Sequence, residues 1–143
     1  MRVVCFYSSN RCQKFGMTRG KTCMNYNRGD IVILPFPFVT RQGAQQKARP
    51  ALIVSDHSIA RRFSDAILVG ITSRVPDKLV ETEYVIATET PEFRQSGLAK
   101  SSVVRCEYAM TIPHDVIAYK LGALPTATMT RIDQKLKTSL GLA

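Results

Sequence analysis

The chain has 143 residues, 45% of them hydrophobic, and a formal charge of +9 at pH 7. That length suits one domain with a real core. The longest apolar run, Ile31 to Val39, is broken by Pro35 and Pro37 and is too short to cross a bilayer. The positive charge fits a polyanionic partner, and equally a soluble surface with a basic tail.

Residues 1–23 contain Arg2, Arg11, Lys14, Arg19 and Lys21 and no acid, so the rest of the chain is only mildly basic, with 15 basic and 11 acidic residues. This segment has no sustained period. Val3–Tyr7 is too short for the apolar centre of a secretory signal, and a transit peptide would show an amphipathic helix. Met24 stands just before the first organised stretch. Residues 1–23 are therefore expected to be a disordered extension or a misassigned start, with the folded domain at 24–143. Cys5, Cys12 and Cys23 lie in the basic segment and only Cys106 in the domain, with no CxxC pair. That usage predicts free thiols in a reducing cytosol rather than a disulfide framework or a zinc site.

Ile31–Leu34 is β-branched and apolar, as in a strand covered on both faces. Pro35 and Pro37 should end its pairing or confine it to an edge. Thr40–Lys47 is polar and contains Gly43, which predicts a mobile loop. Ala51–Ser55 and Ala66–Thr72 read as buried strands, separated by a polar, basic stretch over 56–65. Glu83–Ala87 reads as another strand. Thr90-Pro91-Glu92 places a cap residue, a proline and an acid in succession, which predicts a short helical turn closed by Gly97. Ser102–Cys106 and Met110–Ile112 read as two further strands, and Ala118–Leu121 as a strand or a turn. The last segment is the clearest helix. Pro125 and Thr126 open it, Met129, Ile132, Leu136 and Leu140 recur on one face as core packing, and Gly141 sits where a C′ glycine belongs. Short strands with one terminal helix predict a mainly β fold, a curled antiparallel sheet or small barrel. There is no βαβ alternation and no phosphate-cradling glycine motif.

Four places could carry chemistry. Arg49-Pro50 lies between a flexible stretch and a buried strand, where a guanidinium fork suits a phosphate or a structural ion pair. Thr72-Ser73 ends a strand, where two hydroxyls can bind a phosphate or ribose oxygen or cap a turn. Arg105 and Glu107 share a strand face, so a cation and a carboxylate could act on one phosphodiester or form an exposed ion pair. His57 and His114 have no ligand-spaced partners and read as surface residues.

In order, Arg28-Gly-Asp-Ile-Val-Ile-Leu-Pro-Phe-Pro-Phe, Lys47-Ala-Arg-Pro-Ala-Leu-Ile-Val-Ser, Ile71-Thr-Ser, Gly97-Leu, Ser102-Val-Val-Arg-Cys-Glu and the closing Arg131-Ile-Asp…Leu-Gly-Leu resemble the MazF/PemK family of toxin endoribonucleases over about residues 26–142. Residues 1–23 have no counterpart. The resemblance implies a small SH3-like β-barrel with a C-terminal α-helix, a homodimer, and a cognate antitoxin that blocks the RNA groove. It also implies cytoplasmic, cofactor-free and metal-independent cleavage of single-stranded RNA at short sequences. It matches Arg49, Thr72 with Ser73, Arg105 and Glu107 to the family's catalytic positions. PemK-like members also use a histidine in the first loop, a place that falls near Gly43 here; this chain has no histidine between Asp30 and Arg49.

On this reading the substrate's 2′-hydroxyl attacks the adjacent phosphorus, giving a cyclic phosphate and a 5′-hydroxyl end. Glu107 is the candidate base, Arg49 stabilises phosphoryl charge, Thr72 and Ser73 hold phosphate or ribose, and Arg105 acts electrostatically first and as an acid second. Arg41, Lys47, Arg61 and Arg62 are candidate RNA contacts. Tyr84, Phe93 and Tyr108 could stack on bases or belong to the core. Two rivals share the fold: a non-catalytic module that binds nucleic acid or an antitoxin, and a CcdB-like toxin directed at DNA gyrase.

Overall fold

The computed structural model describes residues 26–143, so the expectation for residues 1–23 lies outside it. The Arg28-Gly29-Asp30 stretch ties the first strand down. Arg28 bonds both the Val54 carbonyl and Asp133 of the C-terminal helix. Buried Asp30 accepts from the Asn27 amide at 2.9 Å and pairs with Lys120 Nζ at 2.9 Å. The sequence motif is therefore a brace between distant parts of the chain.

Strand β1 (Asp30–Thr40) and β2 (Gly43–Ile53) form one long antiparallel hairpin, turning at Arg41-Gln42. The expected loop at Thr40–Lys47 is instead the outer half of this hairpin. Its register runs unbroken from Ile31↔Leu52 to Thr40↔Gly43. The prolines do not stop it because of the direction in which they point. The Ile33 carbonyl accepts from the Ala118 amide on the side away from β2, and Pro35 and Pro37 share its parity. Their missing N–H groups cost no bond to β2. On the other side, β6 (Tyr119–Ala123) pairs only with Asp30 to Ile33.

The sheet has six antiparallel strands in the order β4-β5-β3-β2-β1-β6, with β3 at Asp65–Thr72, β4 at Glu83–Ile86 and β5 at Ser102–Pro113. The two strands expected at Ser102–Cys106 and Met110–Ile112 are thus one strand, β5. It is interrupted by a bulge: Gly70 pairs with Arg105 and Val69 with Ala109, leaving Cys106, Glu107 and Tyr108 unmatched. The Cys106 backbone is satisfied elsewhere, its amide donating to the Thr82 carbonyl at 3.0 Å and its carbonyl accepting from Ser139 Oγ at 3.1 Å. Helix α1 (Pro91–Ser96) follows β4 and packs on β6 at the far edge of the sheet, which it reaches because Gly122 has no side chain. A Cβ there would lie 2.2 Å from the Gln95 carbonyl oxygen. Helix α1 therefore links the β4 edge of the curled sheet to its β6 edge.

Strand alternation divides the core in two. Ile31, Leu52, Val69, Ile71, Val104 and Cys106 face helix α2 (Thr126–Leu140), meeting its Met129 and Ile132. Val32, Leu34, Phe36, Ala51, Ile53, Ala66 and Leu68 face the other way, towards Tyr26 and Ile117. Burying each of the Val, Leu, Ile, Phe and Met side chains among these is worth about 1.5–3 kcal/mol. The helix stripe is core at Met129 and Ile132 and partly at Leu136, but Leu140 is 66% exposed. The helix outruns the sheet by its last turn, which closes at left-handed Gly141.

Candidate nucleic-acid cleft

Register explains the site. Across one row of the sheet stand Glu83, Arg105, Gly70, Ala51 and Val32, each pairing with the next. Residues directly opposite each other share a face. Pairing of β2 with β3 ends at Ala51↔Gly70. Continuing that register one side chain further sets Arg49 across from Thr72, where the strands are no longer bonded. The gap is a cleft of about 290 Å³ lined by Phe36, Arg49, Pro50, Gly70, Ile71, Thr72, Arg105 and Tyr108. Arg49, Thr72 and Arg105, three residues singled out from the sequence, come to it from three different strands.

Arg105 is held between two acids, 3.0 Å from Glu107 Oε1 and 3.8 Å from Glu83 Oε1. Its guanidinium also lies 5.8 Å from the centre of the Tyr108 ring. Glu107 stands at the rim, outside the lining, and its second oxygen accepts from Thr82 Oγ1 at 3.3 Å. Thr72 Oγ1 accepts from the Arg74 amide at 3.2 Å. That leaves the hydroxyl proton to donate, which suits a phosphate oxygen. Ser73 is exposed just past β3 and does not line the cleft.

The candidate RNA contacts scatter. Lys47 is exposed on β2 opposite Phe36 and two residues from Arg49, on the same face as the cleft. Arg41 is at the hairpin tip. Arg61 is committed to Asp65, at 2.6–2.7 Å, and Arg62 is exposed beside it. Both sit at the opposite end of β3 from Thr72, roughly 23 Å of strand away. Of the three aromatic candidates, Tyr108 lines the cleft. Tyr84 and Phe93 pack on the helix-side core, and Tyr84 donates to Glu92 at 3.0 Å.

Sequence reasoning misread the histidines as surface residues. His57 and His114 are half-buried, their Nε2 atoms 3.4 Å apart, with Ser64 Oγ 3.4 Å from His114 Nδ1 and the Tyr26 ring edge-on to His114. Burial pushes both imidazoles below their ordinary pKa, the effect on His114 being reinforced by His57. Fifty-seven residues separate them, so no local pattern marks the pair. Among the described residues no three His, Cys, Asp or Glu side chains gather to hold a metal ion, and no helix is long and apolar enough to cross a membrane.

A curled sheet carrying a cleft with two guanidiniums, and a terminal helix packed behind it, defines a small mainly β protein, and comparison with known proteins gives its family. The family model of PemK-like, MazF-like toxins of type II toxin–antitoxin systems matches residues 27–140, and the chain belongs to this family. Its fold is similar to that of an endoribonuclease from mycobacterial species in complex with its cognate antitoxin, at TM-score 0.61 and 24% identity over 83% of this chain and 98% of that one. It is also similar to Mycobacterium tuberculosis toxin MazF-mt6, at 0.60 and 22% over 80% and 98%, and to MazF from Deinococcus radiodurans, at 0.62 and 22% over 82% and 97%.

Proposed function

We propose that this toxin-family chain is an endoribonuclease that cuts single-stranded RNA by attack of the 2′-hydroxyl next to the scissile phosphate. The convergence of Arg49, Thr72 and Arg105 on one cleft supports this reading most directly. The 2′-hydroxyl oxygen bonds to phosphorus as the P–O5′ bond breaks, leaving a 2′,3′-cyclic phosphate and a 5′-hydroxyl. Glu107, at the rim beside Arg105, accepts the 2′-hydroxyl proton. Arg49 and Arg105 stabilise the charge that grows on the phosphoryl oxygens, and Thr72 donates a hydrogen bond to one of them. Arg105 acts first by stabilising charge and only second as the proton donor to the leaving 5′-oxygen, because a guanidinium gives up its proton with difficulty. These groups come from the chain itself, so the proposed reaction requires no cofactor or metal. Dependence on a 2′-hydroxyl selects RNA over DNA.

The family and the antitoxin-bound fold relative support a partner antitoxin for this chain, with a homodimeric, cytoplasmic toxin as the working state. Ser73, exposed past the strand end, is assigned a supporting contact to ribose. Lys47 and Arg41, along the hairpin, extend the phosphate track. Arg61 and Arg62 are assigned at most outer contacts, because they lie at the other end of β3.

The engagement of Glu107 by Arg105 and Thr82, outside the lining, favours a second reading in which the cleft binds RNA or an antitoxin without cutting. Incubating the full chain with mixed-sequence single-stranded RNA in EDTA separates the two. Cyclic-phosphate and 5′-hydroxyl ends are expected. RNA retained intact on immobilised protein would establish the module instead.

A further inference from the structure

We infer that Tyr108, backed by Phe36 and seated on Gly70, is a stacking platform for one nucleobase beside the phosphate position of the cleft. The inference rests on the nucleic-acid reading above and extends it to a subsite. Three separate features build the platform. The β5 bulge removes Cys106, Glu107 and Tyr108 from the ladder and turns Tyr108 back across β3. Gly70 leaves the space the ring occupies: a Cβ there would stand 3.0 Å from Tyr108 Cδ1 and 3.4 Å from Phe36 Cζ. Phe36, only 2% exposed, then supports Tyr108 from within, with ring centres 5.2 Å apart and planes inclined at 41°.

The result is that Tyr108 remains 38% exposed in a cleft whose polar lining is two guanidiniums and a hydroxyl. A structural tyrosine in a core would be covered, as Tyr84 partly is. Instead Arg105 stands 5.8 Å from the ring centre, so a phosphate held by that guanidinium brings its own or the adjoining base within reach of the ring. The cleft volume, about 290 Å³, accommodates about one nucleotide and not a tract. Stacking accepts any base, because every base has a π-face. The platform therefore fixes position and contributes affinity, while base identity is read elsewhere.

The test uses the full chain and single-stranded oligoribonucleotides in which 2-aminopurine replaces adenine and every sugar is 2′-O-methylated to prevent cleavage. Binding is followed by anisotropy and stacking by quenching of 2-aminopurine emission. Wild type is expected to quench on binding. Tyr108→Ala should lose the quench and weaken binding roughly five- to a hundredfold, and Tyr108→Phe, which keeps the ring, should restore both. With cleavable RNA, Tyr108→Ala should raise KM more than it lowers kcat and leave the cleavage motif unchanged. Equal quenching and affinity in wild type and Tyr108→Ala would overturn the platform while leaving cleavage by wild type intact. Binding and quenching without cleavage by wild type would overturn the nuclease reading and keep the platform. Absence of RNA binding by wild type would overturn both.

Discussion

Tyr108 lies directly over Gly70, its Cδ1 3.0 Å from the point a β-carbon would occupy, so one missing methyl sets the position of the cleft's aromatic wall. Gly70→Ala is expected to fold, since its backbone is ordinary strand, and to cost about 1–3 kcal/mol by overpacking. Displacement of the ring should lower kcat/KM several-fold beyond the stability loss. Thermal denaturation and steady-state cleavage on the same preparation measure the two separately, and unchanged cleavage would show that the ring's position is immaterial.

Arg49 faces Thr72 across the gap where β2 and β3 part. Arg49→Ala should lower the cleavage rate by about 10²–10³, equivalent to about 2.7–4 kcal/mol of transition-state stabilisation, with circular dichroism unchanged. Arg49→Lys should recover only part of it, because an ammonium lacks the fork that grips two phosphate oxygens. A variant that cuts at the wild-type rate would remove Arg49 from the site.

Glu107 both holds Arg105 and is the assigned base. Glu107→Gln preserves shape and hydrogen bonding to Arg105 but cannot take a proton. A rate loss of about 10²–10⁴, with disappearance of the acidic limb of the pH–rate profile, is expected of a base. A uniform loss that keeps that limb would mean that Glu107 only positions the guanidinium.

The His57–His114 pair makes stability depend on pH. Both folded pKa values are lowered by burial from the ordinary 6.5, with Asp30, Asp56 and Arg61 acting on His57, and Arg61, Asp65 and Asp115 on His114. In the window below 6.5 the unfolded chain therefore binds more protons than the folded one, so stability rises with pH there. The contribution is fully present above 6.5 and is lost as pH falls through the folded values. Urea midpoints measured between about pH 7.5 and 5.5 should fall on acidification, and His57→Gln combined with His114→Gln should fall less. A parallel decline would place the effect on the carboxylates.

Cys106, 1% exposed, is held up at about 11 by burial, with Lys135 pulling the other way. Its thiol should resist iodoacetamide in the native chain and react on unfolding. Peptide mapping of the labelled protein separates it from Cys5, Cys12 and Cys23. Prompt native-state labelling of Cys106 would mean that α2 lifts readily from the sheet.

Most elements could be read in the sequence because each is coded locally. The apolar, β-branched runs Ile31–Leu34, Ala51–Ser55 and Ala66–Thr72, the Thr90-Pro91 start with Gly97, and the Met129–Ile132–Leu136 spacing all act within a few residues. The outer hairpin escaped because Gly43-Ala-Gln-Gln-Lys is polar on both faces and becomes a strand only through its partner, β1. Leu140 escaped because periodicity shows which face is apolar and says nothing of where the opposing sheet stops.

Taken alone, the sequence determined which residues alternate, which cap and which carry charge, and hence a β-sheet with a terminal helix and a short roster of cations, hydroxyls and acids. Only the tertiary structure decided which of these meet. Strand register brought Arg49 to Thr72 and Arg105 to Glu83. A three-residue bulge sent Tyr108 over Gly70, and two segments 57 residues apart in the chain set His57 against His114. The reason is physical: backbone preference and side-chain parity are properties of neighbours in the chain, whereas register, bulges and clefts follow from pairing free energies between segments distant in it.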